Sequence, residues 1–479
     1  MTGTDAGAAS AQRAVTVTTV APNASNYPAM TVTERIGKPA PGYIFAGPKI
    51  DGPRPSGAPV GPMILDGRGR PVYFMNTQAA DRATDVRVQT YHGKRVMTYW
   101  LGGTGANPGI GVGDDYIVDQ HYKVLRVVHW HGTDKADQHE FNLEPDGVHA
   151  LIVSYHQTTT DATRAGGPAN QAVFDGVVQE VNLKTSKVDF EWHSLNHVGV
   201  ANSYEALPAN NTTPWDYFHI NAVKVDTDGN FIISSRHTWT VYKVNRTTKK
   251  IMWSLGGKKS TFTIGRGAAF SWQHDPEPLG NNTYRIFDNA ATTDAGVPPT
   301  HPQSRVITIQ LNLKNKTATN LGHIVYPTNN LSAPSQGNAQ TLPAGHTFVD
   351  WGQQDHITEF NAHRQMIFDA QFPTSPTLYD SYRAYKSAWV GTPTWSPTAK
   401  TSTPNGKRQI DALWNGASTV NRWRILGGAS RTSLHIIGRV NWNGYDTAFR
   451  LSSYPKFVQL VAIDSHGNAL KRTAPLQVS

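Results

Sequence analysis

Apolar and polar residues alternate over short stretches along most of the chain, and glycine, proline, asparagine and aspartate separate these stretches. Other stretches are mainly apolar runs: residues 71–74 follow a turn and read as a buried strand, and residues 95–101 read as another strand that ends in the pair Gly102-Gly103. Alternation with a period of two, bounded by turn residues, is typical of β-strands. From Thr31 onward the pattern therefore predicts a chain built mostly of strands.

A two-part unit recurs along the middle of the chain. Its first part, a turn followed by an apolar run, occupies residues 145–153, 228–233 and 280–287. Its second part, a hairpin whose turn is rich in threonine and lysine, begins at Val181, Val241 and Val306. Four short strands repeated about every 60 residues are typical of β-propeller blades. Unrelated hairpins in a β-sandwich are the alternative, but the joint recurrence of both parts favours the propeller.

The domain organisation follows from where these repeats begin and end. Residues 1–30 are small, polar and aperiodic, so we expect a flexible N-terminal segment. Residues 31–390 contain the repeats and form the predicted propeller domain. Residues 391–405 are rich in proline and threonine and are interpreted as a linker. Short alternating strands follow, so residues 391–479 are predicted to end in a small β-sandwich of the immunoglobulin or fibronectin type.

The charge pattern narrows the class of partner. The net charge is +9, but lysine and arginine are scattered singly instead of forming a basic patch. Nucleic-acid binding usually requires such a patch, so we expect no nucleic-acid partner and only mild attraction for anionic substrates or polyanions. No apolar run reaches the roughly 18 residues of a membrane span, so none is predicted. The sequence leaves the oligomeric state open.

The absence of cysteine removes disulfides, zinc–thiolate sites and thiol catalysis together. No acidic cluster with metal-ligand spacing is present either, so neither a metal nor a cofactor is predicted. The N-terminal ten residues lack the basic-then-apolar pattern of a signal peptide. We expect an extracellular protein that begins after cleavage, and a cytoplasmic one is the alternative. Glycosylation sequons fit the first expectation, at Asn23, Asn210, Asn211, Asn245, Asn281, Asn315 and Asn330.

The candidate chemistry is concentrated in residues 215–289. Clusters of imidazole, guanidinium and amide groups stand there at the edges of predicted strands, at residues 216–221, 234–238, 272–275 and 287–289. Two or three histidines and an arginine brought together would form an anion pocket that contains a nucleophile or a base. The rest of the sequence is interpreted as the scaffold of that pocket.

Several of these clusters resemble the arylsulfate sulfotransferases, particularly their actinobacterial and fungal-type branch. The resemblance is carried by Asp-Tyr-Phe-His-Ile-Asn at 216–221, Ile-Ser-Ser-Arg-His-Thr at 233–238 and Trp-Gln-His-Asp-Pro-Glu-Pro-Leu-Gly at 272–280. Residues 335–352 continue it, and the similarity extends over most of residues 40–475. It implies a six-bladed propeller, with seven blades as the alternative, and an active site in the central funnel. It also implies transfer of a sulfuryl group from a phenolic sulfate ester to a phenolic acceptor without a nucleotide donor.

The resemblance also assigns roles to individual residues. His274 matches the histidine that becomes covalently sulfurylated. His219 matches the residue beside the leaving phenol oxygen, where it would act first as an acid and then as a base. His139 occupies a plausible place for a further anion-binding histidine.

The residue types agree with such chemistry. Arg236 offers a planar fork of donors to two sulfate oxygens, and the Asn221 amide can donate to another. Because His219 and Asn221 are two residues apart, a strand would point them to the same side. Tyr217 and Trp272 are candidates for an aromatic acceptor pocket, although core packing explains them nearly as well.

The remaining candidates are assigned structural roles. His237 is expected to be a satisfied core or surface histidine. Asp275, Asp288 and Asn289 are interpreted as turn or supporting groups, and which side chain orients His274 is left open.

Two other functions compete with sulfuryl transfer. A polysaccharide lyase acting on a uronate-containing acidic glycan would use histidine or tyrosine as acid and base, with Tyr155, Tyr204 or Tyr217 as candidates. A binding propeller without catalytic activity is the third interpretation.

Overall fold

The computed structural model describes residues 15–20, 27–52, 54–77, 82–105, 107, 109–291, 300–328 and 330–478. This part of the chain is nearly all β, and its sheets are predominantly antiparallel. The helical segments found there are 3-10 turns of three residues each, at Thr163–Ala165, Ser194–Asn196, Val200–Asn202, Pro343–Gly345 and Pro404–Gly406. No helix of the described residues has the length and apolar character needed to cross a bilayer. The all-β prediction is confirmed.

The chain divides into two compact units, Ser25–Trp389 and a smaller one that joins Met1–Ala24 to Val390–Ser479. Strand β1 (Val17–Val20) belongs to the smaller unit. The strands of the larger unit are β2 (Thr31–Arg35), β3 (Tyr43–Lys49), β4 (Met63–Leu65), β5 (Pro71–Phe74), β6 (Arg82–Tyr91), β7 (Lys94–Thr104), β8 (Gly111–Val118), β9 (Val124–Val128), β10 (Phe141–Leu143), β11 (His149–Thr160), β12 (Gln171–Asn182), β13 (Lys187–His193), β14 (Ile220–Val225), β15 (Phe231–Ser235), β16 (Thr240–Val244), β17 (Ile251–Gly256), β18 (Thr263–Ile264), β19 (His274–Gly280), β20 (Thr283–Asp288), β21 (Arg305–Asn312), β22 (Thr317–Val325), β23 (Asn338–Thr341), β24 (Thr347–Asp350), β25 (His356–Phe360), β26 (Met366–Gln371) and β27 (Asp380–Ser387). The smaller unit continues with β28 (Thr398–Ser402), β29 (Gln409–Leu413), β30 (Arg422–Gly428), β31 (His435–Asn441), β32 (Asp446–Leu451), β33 (Phe457–Ile463), β34 (Ala469–Arg472) and β35 (Leu476–Gln477).

In the larger unit, the described strands form six sheets of four or five strands. Four of them follow the chain: β6–β9, β10–β13, β14–β17 and β18–β22. The other two combine early and late strands, because β27 pairs with β3 and β2 pairs with β26. The recurring hairpins predicted from Val181, Val241 and Val306 are confirmed as strand pairs, each in a different sheet.

Adjacent sheets share apolar cores, and strand β15 shows how. Phe231 and Ile233 pack with Trp192 of the preceding sheet, whereas Ile232 between them packs with Trp253 and the strands of the following sheet. Successive side chains of a strand point to opposite faces, so a continuous apolar run supplies both cores. This explains why these strands read as uninterrupted apolar stretches in the sequence.

The smaller unit contains two antiparallel sheets, β1-β32-β29-β28 and β31-β30-β33-β34, with β35 paired to β33. Two segments differ from the sequence prediction here. Val17–Val20 is a strand within residues 1–30, which were predicted to be flexible, because its β-branched residues pair with β32. The predicted linker 391–405 contains strand Thr398–Ser402, since its alternating Thr-Ala-Lys-Thr-Ser pattern pairs with β29.

Candidate active site

A cavity of about 340 Å³ lies near the starts of β6, β10, β14, β19, β23 and β27, which are one strand from each sheet of the larger unit. We call it the histidine cavity; it is lined by Lys49, Asp51, Gly52, Arg82, Gly109, Gln138, His139, His219, Arg236, His274, Ser335, Gln336, Gln353 and Tyr382. Its volume falls in the range of small-molecule sites. Four of the sequence-predicted residues, His139, His219, Arg236 and His274, are therefore brought together.

A second cavity, of about 580 Å³, lies at the finishing ends of the same strands. We call it the distal cavity; it is lined by Arg87, Val88, Gln89, Thr90, Leu143, Glu144, Pro145, Lys224, Asp275, Glu277, Ala339, Gln340, Thr341 and Tyr385. It contains none of the histidines.

His274 is held in one tautomer by Asn289. The Asn289 Nδ2 group donates to the carbonyls of Ala333 and Gln336, both at 3.0 Å, so its Oδ1 must face the ring. The His274 Nδ1–H donates to that Oδ1 at 2.7 Å, which leaves the lone pair on Nε2. Burial lowers the pKa of His274 well below its ordinary value, and the charge of Arg236 adds to this effect. The ring is therefore neutral near pH 7.

His219 has a carboxylate partner instead of an amide. Its Nδ1–H donates to Asp216 Oδ2 at 2.5 Å, and its main-chain N–H donates to Asp216 Oδ1 at 3.1 Å. Burial lowers the pKa of His219 well below its ordinary value, with further contributions from His139 and Arg236. Burial also raises the pKa of Asp216. The hydrogen bond fixes the ring and leaves the Nε2 lone pair available to a bound molecule.

His139 repeats this arrangement. Its Nδ1–H donates to Asp137 Oδ2, and its main-chain N–H donates to the same oxygen at 3.0 Å. The ring centroids of His139 and His219 lie 4.9 Å apart with the planes at 81°. Tyr382 stands with its ring centroid 5.4 Å from that of His139 and 6.3 Å from that of His274. Tyr382 thus lies between the two sides of the cavity.

Arg236 brings a positive charge into the cavity. Its main-chain N–H donates to the His219 carbonyl at 2.9 Å, so the two residues are adjacent as the hairpin pattern predicts. Nη2 donates to the Pro334 carbonyl at 3.1 Å, and the guanidinium lies over Trp272. Among the described residues no carboxylate forms a salt bridge with Arg236, and burial lowers its pKa. Arg236 is half-buried, with its Nε atom buried and without a hydrogen-bond partner, and a cation without a salt bridge in such a setting favours the binding of an anion.

His237 has a role in the site that its predicted structural assignment did not include. Its Nδ1–H donates to the Asp216 carbonyl, and its Nε2 accepts a hydrogen bond from Arg236 Nη1 at 2.7 Å. Its ring centroid lies 4.6 Å from that of His219. His237 is buried and does not line the cavity, but it orients the guanidinium that does.

Asp216, His219 and His237 could each offer one ligand atom to a metal ion, and these three atoms lie within 4.8 Å of one another. The Nδ1 atoms of both rings already donate hydrogen bonds to Asp216. The 2.5 Å between Asp216 Oδ2 and His219 Nδ1 is shorter than the roughly 3.3 Å between neighbouring ligands of a tetrahedral zinc ion. The geometry favours a hydrogen-bonded network over a metal site for these three residues.

Comparison with known protein families identifies the family of this chain. Residues 87–373 match the family model described as Arylsulfotransferase (ASST). The chain belongs to the arylsulfotransferase family. The predicted resemblance is confirmed at this level, and family membership supports aryl sulfotransfer as the general activity. His139, His219, Arg236 and His274 all lie inside the matched span.

Other comparisons are more distant. No protein of curated function matches the chain. A Bacteroides caccae protein of unknown function is 10% identical, with a TM-score of 0.43 over 72% of this chain and 99% of its own. A putative 6-phosphogluconolactonase from Bacteroides fragilis is 10% identical, with a TM-score of 0.34 over 73% and 98%. The β-propeller domain of Cps50 (Swd1) from Myceliophteria thermophila is 10% identical, with a TM-score of 0.23 over 67% and 86%.

Asn221 does not reach the histidine cavity, contrary to the sequence prediction. His219 precedes β14 with φ of +49°, and the register shifts between Ile220 and Ala222. These two features break the alternation that would have placed His219 and Asn221 on one side. Asn221 is fully buried, and its Nδ2 donates to the Gln273 carbonyl at 2.7 Å. In this member of the arylsulfotransferase family, its amide connects two neighbouring sheets.

Tyr217 and Trp272 also lie outside the cavity lining. Both are fully buried, and the Tyr217 hydroxyl donates to Ser194 Oγ at 2.8 Å. Trp272 packs against Trp239 and beneath Arg236. The alternative of core packing therefore describes Tyr217, and Trp272 supports the arginine instead of forming an acceptor pocket.

Eight polar residues of the cavity were not predicted as site residues: Lys49, Asp51, Arg82, Gln138, Ser335, Gln336, Gln353 and Tyr382. All eight lie outside residues 215–289, and only Ser335 and Gln336 stand in a segment that carries the family resemblance. Lys49, Asp51, Arg82 and Tyr382 also lie outside the span matched by the family model. Only the pairing of β3 with β27 brings Lys49 and Tyr382 to the site.

Proposed function

We propose that this arylsulfotransferase-family protein moves a sulfuryl group from a phenolic sulfate ester to a phenolic acceptor through a covalent sulfo-His274 intermediate. One observation carries the proposal: a neutral imidazole with its lone pair on Nε2 and an arginine without a counter-ion line the same cavity. A neutral imidazole is nucleophilic near pH 7 and can leave again afterwards.

The anion is held before the reaction by Arg236. Its planar fork suits two oxygens of a sulfate ester, and His237 and Trp272 fix the direction of the fork. No carboxylate of the described residues forms a salt bridge with Arg236, and the charges of Glu205 and Asp216 act on it only at longer range, so the guanidinium attracts the anion in a half-buried setting. Binding orients the sulfur toward Nε2 of His274.

In the first half-reaction the Nε2 lone pair of His274 forms a bond to sulfur, and the bond from sulfur to the phenol oxygen breaks. The departing oxygen takes a proton from His219. A bound sulfate ester raises the pKa of that ring by adding a negative charge, and Asp216 supports the imidazolium. In the second half-reaction neutral His219 accepts the proton of the acceptor phenol, whose oxygen then takes the sulfuryl group from His274.

The finer features of the fold belong to this proposal. We infer that the six sheets of the larger unit are the six blades of a propeller, since one strand of each sheet (β6, β10, β14, β19, β23 or β27) has its two ends at the two cavities. The smaller unit would then be an immunoglobulin-like sandwich. An extracellular location and the actinobacterial or fungal-type branch remain proposals that rest on the sequence alone.

Nothing in the site favours the lyase alternative. The Tyr155 hydroxyl donates to the Ile220 carbonyl at 2.6 Å, and the Tyr217 hydroxyl donates to Ser194. Tyr204 stacks on Trp239, and none of the three tyrosines lines the histidine cavity. The proposed chemistry therefore remains sulfuryl transfer.

The proposal is tested by trapping the intermediate. The protein is incubated with p-nitrophenyl sulfate without an acceptor, quenched, digested and analysed by mass spectrometry. We expect one sulfuryl group on the peptide that contains His274, and its loss when a phenol is added. His274→Ala should abolish the label and lower turnover by about 10³-fold or more, whereas His346→Gln should retain both. Turnover without any label on His274 would overturn the covalent mechanism.

A further inference from the structure

The loop at residues 335–337 covers the nucleophilic nitrogen of His274. The main-chain N–H of Gln336 donates to His274 Nε2 at 3.2 Å. The lone pair expected to attack sulfur therefore already accepts a hydrogen bond from the chain itself. When the Nε2 lone pair forms a bond to sulfur, the direction of this N–H depends on the contacts that hold the loop.

The loop is fixed at both of its ends by close main-chain packing. Gln336 has φ of +69° and Gly337 has φ of +98°, and a side chain on Gly337 would collide with Phe287. Gly352 lies so close to the loop that a Cβ there would meet the Ser335 carbonyl oxygen. A positive φ is unfavourable for glutamine, so the conformation must be held by its surroundings.

Asp51 supplies the side-chain contact that holds Gln336. Its Oδ2 accepts hydrogen bonds from Gln336 Nε2 at 3.0 Å and from Gln353 Nε2 at 2.8 Å. Its Oδ1 lies 2.6 Å from Lys49 Nζ and 3.6 Å from Arg82 Nη1. Burial would raise the pKa of Asp51, but Lys49, the hydrogen bond from Gln353 and the charge of Arg82 together hold the pKa below its ordinary value. The acceptor is thus an ionised carboxylate.

We propose that Asp51 is a positioning residue that holds the Gln336 main-chain N–H at His274 Nε2, so that this N–H donates to a sulfuryl oxygen when the intermediate forms. The inference rests on the proposed function. When the Nε2 lone pair becomes the bond to sulfur, the N–H loses its acceptor and lies beside the sulfuryl oxygens. A donor already in place where charge is transferred costs little reorganisation. Asp51 itself touches neither the reacting nitrogen nor the sulfur.

The test exchanges donor and acceptor between the two side chains. Gln336→Glu sets two carboxylates against each other, and Asp51→Asn weakens the acceptor. The double variant restores one amide-to-carboxylate hydrogen bond in the opposite direction and conserves the net charge of the cavity. In single-turnover sulfurylation we expect Gln336→Glu to be about tenfold to hundredfold slower and the double variant to return to within about threefold of wild type. Gln354→Ala, which loses a bond to the Ser332 carbonyl at 2.9 Å but does not contact Asp51, is the matched control.

A second measurement does not depend on sulfuryl transfer. Diethyl pyrocarbonate acylates unprotected, neutral histidine, so its rate at the His274 peptide reports how well Gln336 covers Nε2. We expect faster acylation in Gln336→Glu, wild-type rates in the double variant and no change in Gln354→Ala. Equal acylation rates in all variants, or a double variant no better than Gln336→Glu in turnover, would overturn the role of Asp51. Absence of wild-type turnover with the acylation pattern intact would instead count against the proposed function alone.

Discussion

The two cavities of the larger unit sit at opposite ends of the same strands and differ in how their charges are matched. In the distal cavity Arg87 contacts Asp85 at 3.0 Å and Glu140 at 2.9 Å. Lys224 contacts Asp275 at 2.7 Å, and Glu277 lies 3.3 Å away. The distal cavity is larger, yet both of its cations are satisfied by the protein.

The histidine cavity is smaller and leaves one cation for a ligand. Lys49 and Arg82 share Asp51 there, but Arg236 forms no salt bridge among the described residues. A matched buried ion pair adds specificity to a fold, whereas an unmatched charge is costly unless a ligand completes it. The histidine cavity is therefore distinguished from the distal cavity by a cation without a salt bridge to the protein, and not by a larger volume.

The largest effect is expected from Arg236→Met, which removes the cation that has no salt bridge in the histidine cavity. Because the methionine removes the anion-binding fork, we expect single-turnover sulfurylation to slow by about 10³-fold, or about 4 kcal/mol. The free energy of unfolding should stay the same or rise, since no carboxylate loses its partner. Rapid-quench kinetics and denaturant melts measure the two effects. Arg236→Lys, which keeps the charge without the fork, should retain an intermediate rate.

Arg87→Met removes a cation of the distal cavity that is paired with carboxylates of the protein. The change removes one of the two guanidinium groups that pair with buried Asp85 and Glu140 and leaves that of Arg383, so we expect the free energy of unfolding to fall by about 3 kcal/mol. Turnover per folded molecule should remain within about threefold of wild type. A large loss of activity at unchanged stability would show that the distal cavity takes part in the reaction.

Asn289→Asp is expected to have a smaller effect, which appears in the dependence of kcat/KM on pH. A carboxylate beside the His274 ring favours the imidazolium, so the pKa of His274, which burial now lowers, should rise. The nucleophile must be neutral, so the acidic limb of the profile of kcat/KM against pH should move to higher pH. We expect about tenfold less activity than wild type near pH 6 and a smaller difference near pH 8. An acidic limb that stays in place would contradict the assignment of His274 as the nucleophile.

The fold was predictable where the sequence repeats itself. The hairpins that begin at Val181, Val241 and Val306 carry a visible period, and their strands occur as expected. The pairing of β2 and β3 with late strands was not predictable in this way, because partners more than 300 residues apart leave no local pattern. The strand at Val17–Val20 was missed for the same reason, since its partner β32 lies far along the chain.

The site was predictable in its reactive groups but not in their supports. Family motifs pointed to His219, Arg236 and His274, and the resemblance added His139 by its place in the sequence; all four line one cavity. Asn221 was misplaced because the backbone turns at His219 with a positive φ, which no pattern of residue types reveals. Hydrogen-bond partners such as Asn289 depend on the fold of the following strand, so sequence reasoning could name the histidine without its orienting group.

The pairing of β27 with β3 has a consequence for how the protein acquires its activity during synthesis. Lys49 at the end of β3 and Tyr382 within β27 both line the histidine cavity, and their strands lie side by side in one sheet. Strand β3 is translated first, and its edge that pairs with β27 stays unpaired until more than 300 further residues have been translated. A ribosome-bound chain that stops before β27 would expose an unsatisfied strand edge to chaperones and neighbouring chains. Reactivity toward an aryl sulfate would therefore appear only after β27 has been translated.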